Sequence, residues 1–126
     1  MSSEEHSRGY KADEGKPRVG LMLAGFARAL LEVSKVTTEG AERYRDFGFL
    51  AVDAGAARYD DAKGRHLLEG YVSESKHHED EVLGHMAAEA WNALCVLELT
   101  LREKEEQAGT QAEEPGVPQS PRDAMF

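Results

Sequence analysis

Residues 80–103 read DEVLGHMAAEAWNALCVLELTLRE, the longest stretch of the 126-residue chain with a helical apolar period. Its apolar side chains recur at steps of three or four residues: Leu83, Met86, Ala87, Ala90, Leu94, Leu97 and Leu101. Such spacing is typical of an amphipathic helix, because about 3.6 residues complete one turn. We therefore predict a long helix over 80–103 whose apolar stripe faces a core.

Two further helices are predicted nearer the N-terminus, over residues 20–45 and 54–71. The apolar stripe of the first consists of Met22, Leu23, Phe26, Ala27, Leu30, Leu31, Val33 and Thr37. Gly40 is the position where this helix is expected to break or bend. The apolar positions of the second are Ala57, Ala62, Leu67, Leu68 and Tyr71, and three glycines lower its helix propensity. Residues 46–53 fit a loop or a short strand.

Composition divides the chain into one domain and two tails. Residues 1–16 are polar and are interpreted as a flexible arm, and residues 105–126 are rich in Glu, Gly and Pro and are predicted to be disordered. The folded domain then covers residues 17–104. Two or three amphipathic helices cannot enclose a core alone, so we predict an all-α helical bundle completed by a partner subunit.

Charge and hydropathy restrict the function classes. The net charge is −9, which argues against a broad nucleic-acid-binding surface. It leaves nucleotide substrates open, because metal ions bridge acidic protein to phosphate. No apolar run is long enough to cross a membrane, the N-terminus has no apolar signal core, and the single Cys95 cannot form an internal disulfide. A cytoplasmic location is therefore expected.

Acidic and amide side chains at one-turn spacing suggest a site for a divalent metal ion. Glu39 and Glu42 share a helix face, and His85, Glu89 and Asn92 share another. Two such helices would hold Mg²⁺ or Mn²⁺ between them, since hard ions prefer oxygen ligands. Two alternatives stay open at this point. Glu pairs are common on solvated helices, and a polar residue among buried neighbours is also satisfied by an interhelical hydrogen bond.

Several motifs resemble the MazG-like superfamily of all-α NTP pyrophosphohydrolases. Residues 89–99 are similar to its E-x-x-D helix, and Glu39-Gly-Ala-Glu42 resembles the end of its E-E-x-x-E helix. A broader match to a phage branch of the dATP/dGTP diphosphohydrolase type is carried by KADEGKPRVGLM, LLEVSKVTTEGAERY, AARYDDAKGRHLLEGY and HMAAEAWNALCVLEL. It covers about residues 11–102. The sequence departs from these patterns at Thr38, at Ala88 and at Asn92, where the superfamily usually carries Asp.

The resemblance implies an all-helical bundle of the MazG-like type, completed by dimerisation or tetramerisation, that needs Mg²⁺ or Mn²⁺. Its implied reaction cleaves a (deoxy)purine triphosphate, with dGTP as the leading substrate, to monophosphate and pyrophosphate. If the chain is phage-encoded, the expected location is the host-cell cytoplasm. The implied metal ligands are Glu39, Glu42, Glu89 and Asn92, and the three glutamates are the implied catalytic residues. The implied phosphate contacts are Lys16 and Arg18, and the match also supports a substrate contact from His66. His85 and Trp91 are further substrate-binding candidates. Packing in a core or interface is the favoured role for Trp91, with Tyr44, Phe47 and Phe49 as rival base-stacking residues.

Two other functions stay open. A histidine-rich metal phosphohydrolase would use His66, His77, His78 and Asp80 and would prefer Fe or Zn to Mg. A non-enzymatic oligomeric adaptor would use the apolar stripes as interfaces and would not be stabilised by nucleotides.

Overall fold

The computed structural model describes residues 12–111. They form four α-helices: α1 (Val19–Gly25), α2 (Ala27–Tyr44), α3 (Gly55–Ser75) and α4 (Glu79–Gln111), with a 3₁₀ turn at Gly48–Leu50 between α2 and α3. This part of the chain contains no strand, so the predicted all-α class is confirmed. None of its helices combines the length and hydropathy needed to cross a lipid bilayer.

Helices α3 and α4 form an antiparallel hairpin that organises the molecule. At one end Gly55 meets Leu99, where a Cβ on Gly55 would lie 2.8 Å from a leucine methyl carbon. At the turn, Ser73 donates a hydrogen bond of 3.1 Å to Glu81. Glu79, Asp80 and Glu81 occupy the first turn of α4, where the helix macrodipole favours negative charge. The hairpin therefore brings residues of α3 opposite those of α4 in a fixed register.

A small aromatic cluster forms the core of the described chain. Tyr59, Trp91 and Cys95 are buried, and partly buried hydrophobic residues from α2, from the 3₁₀ turn and from α4 surround them. The Trp91 ring lies 5.4 Å from Phe49 and 5.5 Å from Tyr59 between centroids, in tilted and edge-on arrangements that aromatic pairs favour. Tyr59 also donates a hydrogen bond to the Phe49 carbonyl, which ties the 3₁₀ turn to α3.

Gly40 lets α2 approach this core. A Cβ at position 40 would lie 2.9 Å from a carbon of the Trp91 ring, closer than real contacts allow. Helix α2 continues through Gly40 without a break. The break expected at Gly40 was therefore wrong, and the residue serves a close helix–helix contact. The break lies earlier, at Phe26, next to Gly25.

The other boundaries also differ from the predictions. Residues 46–53 contain a 3₁₀ turn rather than a strand. Helix α3 extends to Ser75, four residues beyond the predicted end at 71. Helix α4 continues to Gln111, so residues 105–111 are helical and not part of a disordered tail. The predicted disorder of the remaining tail and of most of the N-terminal arm lies outside the described residues.

The apolar stripes that marked the helices are largely solvent-exposed in the single chain. Of the α4 stripe only Ala87 is buried, whereas Leu83, Met86, Leu94, Leu97 and Leu101 are about half exposed or more. The stripe that packs inside the chain is the neighbouring one of Ala87, Trp91 and Cys95. Exposed apolar residues on the other helices are Val19, Leu21, Met22, Leu23, Phe26, Leu31, Leu67, Leu68, Tyr71 and Val72. The predicted core face of α4 was therefore wrong for an isolated chain.

Candidate active site

A cleft of about 640 Å³ lies between α2, α3 and α4 on one side of the Trp91 cluster. Its volume is within the usual range of small-molecule pockets, about 300–1,000 Å³. The residues that line it include carboxylates, cations, histidines and aromatic rings: Glu32, Lys35, Glu39, Arg43, Tyr44, Arg58, Tyr59, Arg65, His66, Glu81, His85, Trp91 and Asn92. A second, apolar hollow of about 290 Å³ lies on the other side of Trp91.

Of the two glutamates on α2 that were predicted as metal ligands, only Glu39 lines this cleft. Gly40 marks the side of α2 that touches Trp91. Two residues further on, Glu42 is rotated by about 200° around the helix, since each residue turns it by about 100°. Glu42 therefore lies on the side of α2 away from α4, and the cleft of one chain gathers Glu39 without Glu42.

On α4, Asn92 and His85 line the cleft and Glu89 lies close by. Asn92 is only 4% exposed, and its side-chain nitrogen donates a hydrogen bond of 2.7 Å to the Ala88 carbonyl of the same helix. The interhelical hydrogen bond that was the alternative for Asn92 is not among the hydrogen bonds of the described residues. Glu89 is partly buried and lies near enough to His66 to raise the pKa of that histidine.

Four cations line the cleft, and none was among the residues selected from the sequence: Lys35, Arg43, Arg58 and Arg65. Lys35 forms a 3.0 Å salt bridge with Glu32, and the Arg43 guanidinium lies 5.9 Å from the Tyr44 ring centre. Within residues 12–111, Arg58 and Arg65 form no salt bridge. The spacing of Arg58 and Arg65 could have predicted that they share one face of α3, because residues seven apart lie on the same side of a helix.

Two histidines meet across the hairpin at one end of the cleft. The Nδ1 atoms of His66 on α3 and His85 on α4 are 3.0 Å apart. A carboxylate oxygen of Glu69 lies 3.8 Å from the first and 3.4 Å from the second. Burial is the main cause that holds the pKa of His66 below its ordinary value of 6.5, with His85 and Arg65 lowering it further and Glu69 and Glu89 opposing them. A neutral His66 is a nitrogen donor for a metal ion.

The remaining predicted residues lie apart from the cleft or serve packing. Lys16 and Arg18 are exposed residues ahead of α1 and are not among those that line the cleft. Trp91 is 8% exposed and packs between Phe49 and Tyr59, which supports the packing role that the sequence favoured. Among its rivals for base stacking, Tyr44 lines the cleft and Phe47 is 51% exposed.

The exposed His77–His78 pair lies in the α3–α4 turn. His78 is 3.2 Å from Glu81, and neither histidine belongs to the group that meets around His66. Of the histidine set of the rival phosphohydrolase, the structure therefore brings His66 to His85 and Glu69 instead of to His77, His78 and Asp80.

Comparison with known families agrees with the all-helical fold. Residues 6–109 match the model of the family described as dATP/dGTP diphosphohydrolase, N-terminal. No curated protein and no solved structure gives a significant match. Because the family match spans most of the sequence, the chain belongs to the dATP/dGTP diphosphohydrolase, N-terminal family, whose members are hydrolases of nucleoside triphosphate anhydride bonds.

Proposed function

We propose that this chain is a metal-dependent diphosphohydrolase that converts a deoxypurine triphosphate, preferentially dGTP, to the monophosphate and pyrophosphate. The observation that carries the proposal is one cleft that combines Glu39 and Asn92 with four cationic side chains. The family description, which names dATP and dGTP, supports a purine substrate. Neither the histidine-rich phosphohydrolase nor the non-enzymatic adaptor is supported both by the cleft and by the family description.

The cations would bind the triphosphate. Arg58 and Arg65 face the cleft without an ion pair among the described residues, so their guanidinium groups are free to donate paired hydrogen bonds to phosphate oxygens. Lys35 and Arg43 add positive charge on the opposite wall, from α2. The buried Trp91 cluster forms the floor of the cleft and would exclude water from beneath the substrate.

The kinds of donor near the cleft are those that a divalent cation such as Mg²⁺ or Mn²⁺ prefers. Glu39 offers a carboxylate, Asn92 offers an amide oxygen, and Glu89 is a second carboxylate close to His66. A divalent ion would supply neutralisation of the phosphate charge and a lowered pKa for the attacking water. Glu39, Glu89 and Asn92 are the proposed ligands of one chain. Glu42 remains a candidate through the family resemblance, since in an oligomer it can face a site that a single chain does not form.

The exposed apolar stripes support a homo-oligomer, a dimer or a tetramer, as the active form. Monomeric proteins rarely expose contiguous apolar patches of more than a few hundred Å². In this chain Leu31, Leu68 and Leu83 are each more than 60% exposed, and each lies on a different helix. A second copy would cover such stripes on both chains at once. Light scattering after size exclusion should give two or four chains per particle, and a monomer at micromolar concentration would contradict this.

Product analysis tests the activity. The purified chain is incubated with each of the four dNTPs and with Mg²⁺ or Mn²⁺, and the products are separated by chromatography. We expect dGMP and pyrophosphate from dGTP, with dATP as the next substrate and the pyrimidines turned over more slowly. Release of inorganic phosphate and a diphosphate would contradict the cleavage position, and equal rates for all four substrates would contradict the purine preference.

Substitutions test the assignment of the residues. Glu39→Gln and Glu89→Gln should abolish hydrolysis while circular dichroism stays unchanged, because both remove a carboxylate from the proposed site. Arg65→Gln should raise KM, whereas the exposed Arg28→Gln on α2 should not. Full activity of Glu39→Gln or Glu89→Gln would remove that residue from the site. Glu42→Gln distinguishes the ligand set that the family resemblance implies, which includes Glu42, from the cleft of one chain, which does not. A loss of activity in this variant would place Glu42 in a site shared between subunits.

A thermal-shift experiment separates this enzyme from the adaptor. A ligand at 100 times its dissociation constant stabilises the folded state by about 2.7 kcal/mol. We expect dGTP with Mn²⁺, or a non-hydrolysable analogue, to raise the melting temperature. Unchanged melting with all four dNTPs, together with no turnover, would favour the adaptor.

A further inference from the structure

We propose that His66, Glu69 and His85 form a binding site for one borderline transition-metal ion of the Zn²⁺ or Co²⁺ class, at the end of the cleft. The inference extends the proposed function, because it adds a metal site with nitrogen ligands to the proposed site of oxygen ligands. Metal binding itself is independent of turnover. The site lies on two facing helices, which is how helical bundles commonly build metal centres.

The three ligand atoms already lie at the distances that a shared ion requires. The Nδ1–Nδ1 distance is 3.0 Å, and the Glu69 oxygen lies 3.4 Å and 3.8 Å from the two nitrogens. Metal–nitrogen bonds of about 2.0–2.1 Å at tetrahedral angles place two ligand nitrogens about 3.3 Å apart. An ion could therefore bind all three atoms with side-chain adjustments of a few tenths of an ångström.

One shared proton links only two of these three atoms at a time. If both rings are neutral, one Nδ1–H can donate either to the other Nδ1 or to Glu69. Three acceptor atoms that all lie within 4.8 Å of one another are satisfied together by one cation.

The chemistry of the ligands selects the metal. Two imidazole nitrogens and one carboxylate suit Zn²⁺, Co²⁺ and similar ions, whereas Mg²⁺ prefers an environment of oxygens alone. A set of two histidines and one glutamate also leaves coordination positions open, as in catalytic zinc sites. Both histidines line the cleft, so the open positions would be accessible to phosphate oxygens of a bound nucleotide. Glu89 adds negative charge near His66.

The test measures metal binding without nucleotide. The full chain is stripped with a chelator, titrated with Co²⁺ and followed by its visible absorption, and then titrated with Zn²⁺ in a calorimeter. We expect about one tight ion per chain, and no competition from millimolar Mg²⁺. His66→Gln, His85→Gln and Glu69→Gln should each lower the affinity by more than about tenfold, since even outer residues of metal sites contribute about 10- to 100-fold.

A double variant provides the matched control. His77→Asn with His78→Asn removes two exposed histidines from the α3–α4 turn and should bind Co²⁺ like the wild type. The carboxylate of Glu69 is about half exposed, so Glu69→Gln should remain folded even if a histidine variant does not. Unchanged affinity in Glu69→Gln together with either folded histidine variant, or loss of binding in the control, would overturn the proposal.

The outcomes distinguish this inference from the proposed function. Binding of Co²⁺ through these three residues in a protein that hydrolyses no dNTP would retain the site and contradict the function. Hydrolysis of dGTP with Mg²⁺, together with normal Co²⁺ binding in the His66, Glu69 and His85 variants, would retain the function and contradict the site.

Discussion

The two halves of the α3–α4 hairpin share one helix pairing but differ in the chemistry of the side chains that meet there. Near its open end, Tyr59, Trp91 and Cys95 are buried in an aromatic and aliphatic cluster. Near the turn, the facing positions are polar or titratable, with His66 against His85 and Ser73 against Glu81. Both halves keep the antiparallel register, so the backbone arrangement is shared and only the side chains differ.

The difference indicates which half stabilises the fold and which is available for chemistry. Burial of apolar surface contributes about 25 cal/mol per Å², so the aromatic half should account for most of the packing free energy of the hairpin. In the other half Ser73 is buried, but the histidines and carboxylates are partly or largely exposed, which makes their replacement less harmful to stability. The four predictions below test this division, from the largest expected effect to the smallest.

Replacing Trp91 by Ala should give the largest loss of stability. The indole is 8% exposed and contacts Phe49 and Tyr59. Such a deletion typically lowers the free energy of unfolding by about 3–5 kcal/mol. Urea denaturation at one fixed protein concentration measures the loss. In the polar half Glu69→Gln is the control, with an expected change of about 0.5 kcal/mol or less. Equal losses of unfolding free energy in the two variants would contradict the division into a stabilising aromatic half and a polar half.

Replacing Gly40 by Ala tests the close contact between α2 and the aromatic half. The added Cβ would lie 2.9 Å from the buried indole, and overpacking of this kind lowers stability by about 1–3 kcal/mol. Gly64 on α3 is the matched control, because a Cβ there meets no atom within 4 Å. Gly64→Ala should therefore raise stability by about 0.5–1 kcal/mol through helix propensity. A stabilising Gly40→Ala would mean that α2 does not pack closely on Trp91.

Alkaline pH should weaken the aromatic half selectively. Burial raises the pKa of Tyr59 and that of Cys95 to about 12 each, from ordinary values of 10.0 and 9.0. The unfolded chain therefore releases these two protons first, and stability falls as pH rises from about 9 to 12. Urea midpoints measured across this range should fall less steeply in the Tyr59→Phe, Cys95→Ala double variant than in the wild type. Parallel curves would contradict burial of these groups.

Replacing Ser73 by Ala should give the smallest effect, confined to one carboxylate of the polar half. The hydrogen bond from Ser73 is the main cause that lowers the pKa of Glu81, followed by that from His78. Without the hydroxyl, the pKa of Glu81 should rise towards its ordinary value of 4.5. A carbon-detected NMR titration measures the shift. Ser75→Ala is the control, because Ser75 donates to the Val72 carbonyl instead, and it should leave the titration of Glu81 unchanged.

The sequence alone determined the helical class, the approximate helix positions and the family. Apolar residues at three- and four-residue steps suffice for this, because helix periodicity is a local property. It also placed His85, Glu89 and Asn92 in one polar stripe of α4, since residues four and seven apart share a helix face. The family resemblance identified His66 as a candidate without identifying its partner.

Only the tertiary structure decided which faces pack together. Periodicity marks a stripe that avoids water, but it does not distinguish a neighbouring helix of the same chain from another chain. The Leu83–Leu101 stripe was therefore assigned to a core, whereas the described chain buries Trp91 and Cys95 and leaves most of that stripe exposed. The meeting of His66 with His85, and the gathering of Arg58 and Arg65 opposite Glu39, depend on the hairpin register and on the approach of α2 at Gly40. These are contacts between residues distant in sequence, and no local pattern encodes them.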